Sequence, residues 1–493
     1  MTETLATIDS GPIRGVSSNG VRVFLGVPYA AAPVGERRFA EPVAPAPWTT
    51  VRDATQPGAS APQIIKDFPS LDITPLVGVG WQRGDEYLNA NIWAPASGEK
   101  LPVMVFIHGG AFVLGGNTAA VQDGTAFARS GVVMVAITYR VGVDGFMPIP
   151  GVPDNLGLRD QIEGLKWVRR NAAAFGGDPD NITVFGESAG AMSIADLVVS
   201  PLAKGLFHRA IIESGHGDLV RPQKVAERVT AKMARLLKIK ATRDGFNSVS
   251  QDQTLAALEK ISQPTTRIDL RDNRKREPAF GLSRFLPWMG GEVLPEYPMA
   301  LLAKGAGKDV EVLIGSNAEE MNLYFVPTGV REKLPGWLAT MLVKKSEPNA
   351  AKILKAYGLG RKGVKPGHAF TTALSDLMFR AGARRYAAAH QGRTHVYEFE
   401  WRSPAVKGQL GAAHGMELPF VFNTLACVTG PKGIVGENPP QALADRVHGI
   451  WVEFAKTGSL PWPEYSAADP QVYRLEAGVS AAEPPMPCAA LLD

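Results

Sequence analysis

The sequence predicts an α/β protein: a mostly parallel central sheet with helices on both faces and helical insertions over one end. Three observations carry this. Several short runs are apolar at nearly every position, as expected of strands buried on both faces. A stretch with helical spacing stands between two of them, as a βαβ unit requires. Two long segments, about 221–302 and 327–393, read as helical or irregular and hold no internal repeat.

The strand-like runs are, in order, Val103–Ile107 (VMVFI), Val132–Thr138 (VVMVAIT), Ile182–Phe185 (ITVF), Ala210–Glu213 (AIIE), Val310–Ile314 (VEVLI) and His395–Phe399 (HVYEF). Between the second and third, Leu156–Phe175 places Leu158, Ile162, Leu165, Val168 and Ala172 on one helical face. The Pro-rich segment Ala40–Pro47 shows no flanking shift in composition and reads as a surface connection. One domain over residues 1–493 is therefore expected, with the two insertions forming a cap at the end of the sheet where open α/β folds bind ligands.

Composition narrows the class. The chain is 45% hydrophobic and 20% charged, with 52 basic and 48 acidic residues. That slight excess does not predict a nucleic-acid or membrane partner, which would call for a concentrated basic face. The densest charged run, RIDLRDNRKRE (Arg267–Glu277), mixes both signs and reads as a solvated face. Only Cys427 and Cys488 are present, in separate neighbourhoods, which argues against a disulfide framework or a cysteine-ligated metal. The N-terminus lacks the basic and apolar regions of a signal peptide, and no apolar run reaches membrane-spanning length; a cytoplasmic protein is expected.

The stretch NITVFGESAGAMSIAD (Asn181–Asp196) carries a Gly-x-Ser-x-Gly pattern centred on Ser188. Chance supplies about 0.24 such matches in a chain of this composition, so the context has to decide. Here a strand precedes Ser188 and a helical pattern follows, the strand–turn–helix setting of a nucleophile elbow. A sharp turn there requires close packing, which explains Gly186 and Gly190. A helix N-cap serine would also fit the position, but the flanking elements favour a nucleophile.

A serine hydroxyl needs a base, and eight histidines are available. His208 and His216 follow Ser188 too closely, His390 and His448 lie in helical patterns, and His395 lies in a strand. His368 sits in an insertion, and His108 reads as a loop-packing residue. His414, in the small-residue loop LGAAHGMELPF soon after Phe399, occupies the place expected of a base. The orienting carboxylate falls in GSNAEEMNLYF, where Glu319 and Glu320 are not separable by spacing. HGGAF (His108–Phe112) directly follows a strand and matches an oxyanion-hole loop, so the expected backbone donors are Gly110, Ala111 and Ala189. A phosphate loop is the weaker reading of these glycines, which lack both its spacing and its lysine. The order Ser, Glu, His is that of α/β-hydrolases.

With these residues in place, the chain resembles the type B carboxylesterase (carboxylesterase/cholinesterase-like) family over nearly its whole length. GVPYAAAPVGERRF (Gly26–Phe39) matches the family's N-terminal signature, and Asn155–Ala191 is very close to its central block. HRAIIESG, GSNAEEMNLYF, AAHGMELPF and IWVEFAKTGSLPWPEY match later blocks. The resemblance implies the α/β-hydrolase fold, places the acid on Glu320 and the base on His414, and puts the oxyanion donors on Gly110, Ala111 and Ala189. It also suggests Glu187 as a site-lining acid and Ser214 as an auxiliary serine, each with an equally good structural reading. Some positions depart from the pattern. Tyr87 stands where the family's signature cysteine would be, Gly290 replaces a usual aspartate, and Trp81 misses the spacing of a choline-binding tryptophan.

The expectation is a cofactor-free and metal-free serine hydrolase that cleaves mid-sized hydrophobic acyl or aryl esters through an acyl-enzyme. Gly109, Phe112, Leu114, Glu187, Phe325, Phe420 and Phe422 are the candidate pocket residues. Three alternatives stand beside it. The same triad could act on carbamates, aryl amides or a specialised polyester or toxin ester. The fold could serve as a non-catalytic binding module, although every catalytic position is filled. An interfacial lipase would want an apolar lid helix, and no stretch stands out as one. Oligomeric state, monomer or dimer, is open.

Overall fold

The computed structural model describes every residue except Met1, Asp67, Pro264 and Asp493. Its centre is one sheet built from β1 (Thr2–Ile8), β2 (Gly11–Ser18), β3 (Val21–Pro28), β4 (Arg52–Asp53), β5 (Asn89–Pro95), β6 (Leu101–Ile107), β7 (Val133–Ile137), β8 (Gly177–Glu187) and β9 (Arg209–Glu213). A two-residue parallel pair, β10 (Arg221–Pro222) and β11 (Trp288–Met289), stands apart. The sheet then continues with β12 (Glu311–Asn317), β13 (Thr394–Phe399), β14 (Gln471–Arg474) and β15 (Val479–Ala482). Strand order is β1-β2-β3-β5-β7-β6-β8-β9-β12-β13-β14-β15, with β4 pairing beside β2.

The run from β7 to β14 is parallel throughout, and antiparallel strands close both edges. The six strands expected from apolar runs are all in the parallel part. Their side chains alternate between two cores: Val103, Val105 and Ile107 of β6 enter one, while Met104 and Phe106 enter the other. Burial on both faces is why these runs carry no polar alternation. The edge strands β1 to β3 are half-exposed, with Leu5 at 62%, and their mixed sequences explain why no apolar run announces them.

The helix Leu156–Asn171 turns Leu158, Ile162, Leu165 and Val168 into the first core, as the spacing predicts, and passes into a 3₁₀ turn at Ala172–Phe175. The elbow helix Ala189–Val199 is buried on every side. Across the sheet, Gln441–Thr457 packs Val447, Trp451 and Phe454 into the second core.

Both segments read as insertions carry helices, the first with long irregular stretches between them. The first contains Gln223–Leu237 and Gln251–Ser262, the latter opened by a Ser250/Gln253 capping box. The second contains Gly336–Val343, Ala350–Ala356 and Pro366–Ser375, then a π-turn at Asp376–Arg380. Among the described residues, no helix is long and apolar enough to cross a membrane.

Candidate active site

Parallel strands deliver their carboxyl ends to one rim of the sheet, and the candidate residues are found there. Strand β6 runs into His108, β8 into Ser188, β9 into Ser214 and β12 into the loop carrying Glu320. His414 comes from the loop after β13, whose backbone is tied down by Glu319 N–H to Ala412 O (2.9 Å) and His414 N–H to Glu320 O (3.1 Å).

Ser188 has φ 57° and ψ −122°, a strained conformation for a residue with a side chain. Its amide donates to Glu213 O (2.9 Å), and its carbonyl accepts from Met192 N–H (2.8 Å). The flanking glycines are needed for contact rather than flexibility. A Cβ on Gly190 would sit 1.9 Å from Ile107 O, and one on Gly186 would sit 2.4 Å from the same atom. The strained turn thus persists because strand and helix pack too closely for anything larger.

Glu320 is fully buried and its Oε2 lies 2.6 Å from His414 Nδ1. Its other oxygen accepts from Ser214 Oγ (2.7 Å) and Asn317 N–H (2.7 Å), so the carboxylate cannot rotate. Glu319 turns outward, to Arg402 and the Ala412 amide. The pair that spacing left unresolved is thereby separated: alternate side chains of one loop face opposite ways.

On the cavity side, His414 Nε2 lies 3.1 Å from Glu187 Oε1, and among the described residues no hydrogen bond of good geometry satisfies it. The Tyr324 hydroxyl lies beside the Ser188 side chain. Tyr324 and Phe379 also lean on the imidazole, with ring centroids 5.6 and 4.7 Å away. A further carboxylate, Glu417, accepts from Ser214 (3.2 Å) and from the Asn317 side chain. Burial alone would push the imidazole's pKa down, but Glu187, Glu320 and Glu417 outweigh it and hold His414 above an ordinary histidine. Burial in turn pushes the Glu187 and Glu417 carboxyls up.

The HGGAF loop follows β6 in left-handed conformations, with φ 113° at Gly110, 54° at Ala111 and 63° at Phe112. Among the described residues, the amides of Gly110, Ala111 and Ala189 have no protein acceptor. His108 stacks on Tyr139 (4.2 Å), and burial holds it neutral, pushed down to about 4; it packs the loop, as expected.

Two apolar cavities meet at Ser188. The larger, about 360 Å³, is lined by Leu114, Gly109, Leu323 and His414, with Ile64, Phe68, Leu76 and Leu258 from distant segments. The second, about 300 Å³, is lined by Phe112, Phe325, Met192, Leu286, Met378 and Phe379. Ala111, Ser188 and Tyr324 border both. Of the expected walls, Phe420 and Phe422 are core residues instead. The chain turns inward after His414, so Phe420 packs on Phe399 and Trp401, and Phe422 packs on Phe106, Phe127 and Phe185. A third cleft, about 460 Å³ and bordered by His216, Asp218 and Arg385, mixes polar and apolar walls, and its Asp218 is already bound by Arg385 (2.6 Å). Trp81 lies outside these cavities, under Arg83.

Among the described residues, no group of three or more His, Cys, Asp or Glu side chains is arranged to hold a metal ion. Tyr324, Glu417 and the walls from 64–77 and 258–262 were missed in the sequence. Glu417 stands in plain view three residues after His414, but nothing in its spacing distinguishes it from a surface acid.

Comparison with known proteins agrees with this architecture. The carboxylesterase family model matches residues 2–486. The para-nitrobenzyl esterase of Bacillus subtilis is 37% identical over 94% of this chain and 93% of its own. The phenmedipham hydrolase of Pseudarthrobacter oxydans is 32% identical over 96% and 95%. Among solved structures, a PNB esterase superposes with a TM-score of 0.82 at 32% identity, and a Geobacillus stearothermophilus carboxylesterase with 0.82 at 33%; each match covers 98% of both chains. Sheet topology, a strained serine at the rim and whole-length similarity converge: the chain has the α/β-hydrolase fold and belongs to the carboxylesterase family of carboxylic ester hydrolases.

Proposed function

We propose that the protein hydrolyses mid-sized, hydrophobic carboxylic esters through an acyl-enzyme on Ser188, with His414 as base and Glu320 as its orienting acid. The observation that carries this reading is the 2.6 Å contact from Glu320 to His414 Nδ1, beside a strained serine where two apolar cavities meet. Nδ1–H held by Glu320 leaves Nε2 as the basic nitrogen. It takes the Ser188 proton as Oγ attacks the ester carbonyl, and the alkoxide forms against the amides of Gly110, Ala111 and Ala189. His414 then gives that proton to the departing alcohol, and water repeats the sequence on the acyl-enzyme.

One cavity receives the acyl part and the other the alcohol part, and their combined size fits a small molecule. Such a catalyst works as a single domain, with residues 221–302 and 327–393 as its cap, and in the cytoplasm. Because its relatives bear the names para-nitrobenzyl esterase and phenmedipham hydrolase, para-nitrobenzyl esters and phenmedipham belong in the substrate panel.

Ser188→Ala tests the reading. The variant should fold, as judged by circular dichroism, yet lose ester turnover by about 10⁴-fold or more and lose covalent labelling by an organophosphate. Labelling that survives the substitution would place the nucleophile elsewhere.

A further inference from the structure

Tyr324 occupies a place that the triad leaves unexplained. It lies in the short helix Asn322–Phe325, directly after the loop that carries Glu320. Its side chain borders two cavities instead of packing in the core. It is the side chain of a wall, shared by the two cavities on either side of Ser188. Its ring lies 5.6 Å from that of His414, and its hydroxyl lies beside the Ser188 side chain. Burial and the neighbouring carboxylates Glu187 and Glu320 push the phenol well above its ordinary pKa, so it keeps its proton.

An ester that spans both cavities has a bridging oxygen between its acyl carbon and its alcohol group. Once Ser188 Oγ has bonded to that carbon, the bridging oxygen is one bond away, at the boundary between the cavities. Tyr324 borders both cavities beside Ser188. We propose that Tyr324 is a catalytic residue for leaving-group departure: its hydroxyl donates a hydrogen bond to the bridging oxygen of the ester. This rests on the Ser188–His414–Glu320 reading above.

The step balances without a second acid. The Ser188 Oγ–acyl carbon bond forms and the acyl carbon–bridging oxygen bond breaks, with its electron pair going to the bridging oxygen. The proton that His414 Nε2 took from Ser188 ends on that oxygen. Tyr324 keeps its own proton and shares it through the hydrogen bond while negative charge builds. Such help matters where the leaving oxygen is a poor one, and it vanishes where the alcohol is already a stable anion.

The test is the dependence of kcat/KM on leaving-group pKa for esters of one acid, running from 4-nitrophenyl through phenyl to alkyl, in wild type and Tyr324→Phe. The ring and the cavity wall stay in place and circular dichroism checks folding, so the readout is the loss on each ester relative to the loss on the 4-nitrophenyl ester. Alkyl esters should lose about tenfold, the scale of one such hydrogen bond, steepening the dependence on leaving-group pKa. An equal loss on every ester would assign Tyr324 to holding Ser188 and overturn the proposal, as would no loss on alkyl esters. Ser188→Ala, run in parallel, separates this from the reading it rests on: it should lose every ester alike, and if it does not, the triad is what fails.

Discussion

Two buried charge clusters, Arg140–Asp160 and the carboxylates around His414, are built on opposite principles. In the first, Arg140 meets Asp160 with both side chains at 0% exposure. Each polar atom of the guanidinium is used: Nε and Nη2 bond Asp160 at 2.8 and 2.6 Å, and Nη1 bonds the Arg38 and Ala40 carbonyls at 3.0 and 2.8 Å. Charge cancels within the pair. In the second, Glu187, Glu320 and Glu417 surround one imidazole, with Glu213, itself pushed up by burial, behind them. No cation among these groups balances them except His414 itself. A buried charge that is cancelled holds the fold, whereas a buried excess of one sign selects the protonation state of the group it surrounds.

The contrast is sharpest at Glu320, where the largest effect is expected. Glu320→Gln keeps the shape but can present its amide nitrogen to His414 Nδ1, favouring the wrong tautomer. A loss in kcat of about 10⁴-fold is expected by analogy with other triads, with little change in thermal stability. Glu319→Gln, one residue away but facing Arg402, should stay within a few-fold of wild type. Steady-state kinetics on both variants decides it, and comparable losses would mean that the division between inward and outward carboxylates is misplaced.

Much of this division could be read in the sequence, and the remainder could not for definite reasons. The elbow was legible because its determinants are contiguous: β8, Gly186, Ser188, Gly190 and the helix after it all lie within one stretch. The HGGAF turn after β6 was legible for the same reason. Glu320 was separated from Glu319 only by resemblance, because one residue of spacing in a loop sets no facing. The cavity walls were illegible, since Phe68, Leu258 and Tyr324 meet only after three remote segments are folded over the rim. Phe420 and Phe422 misled because apolar residues after a catalytic loop are as ready to enter a core as a pocket.

The ion pair should respond in the opposite currency. Asp160→Asn leaves Arg140 buried with its charge uncancelled, at a cost of about 3–5 kcal/mol in unfolding free energy. Denaturant unfolding measures the loss, and kcat of the still-folded fraction should change little. A variant that kept its stability but lost activity would erase the distinction between a structural and a catalytic cluster.

The smallest effect is the most informative about the carboxylate excess. In the proposed mechanism His414 must be unprotonated at Nε2 to accept the Ser188 proton, so kcat/KM should fall as pH drops through its pKa. Burial lowers that pKa, but the carboxylates raise it further, so the acid limb should lie above the pH where an ordinary histidine titrates. Glu187 is foremost among the groups that raise it and lies 3.1 Å from Nε2. Glu187→Gln removes a negative charge that favours imidazolium, so the limb should move toward lower pH, by on the order of one unit. The same charge stabilises the imidazolium that forms in the transition state, so the alkaline plateau should fall a few-fold even as the acid side gains. The two changes have opposite signs on one pH–rate profile, and a purely steric role for Glu187 would lower the whole curve without moving its limb.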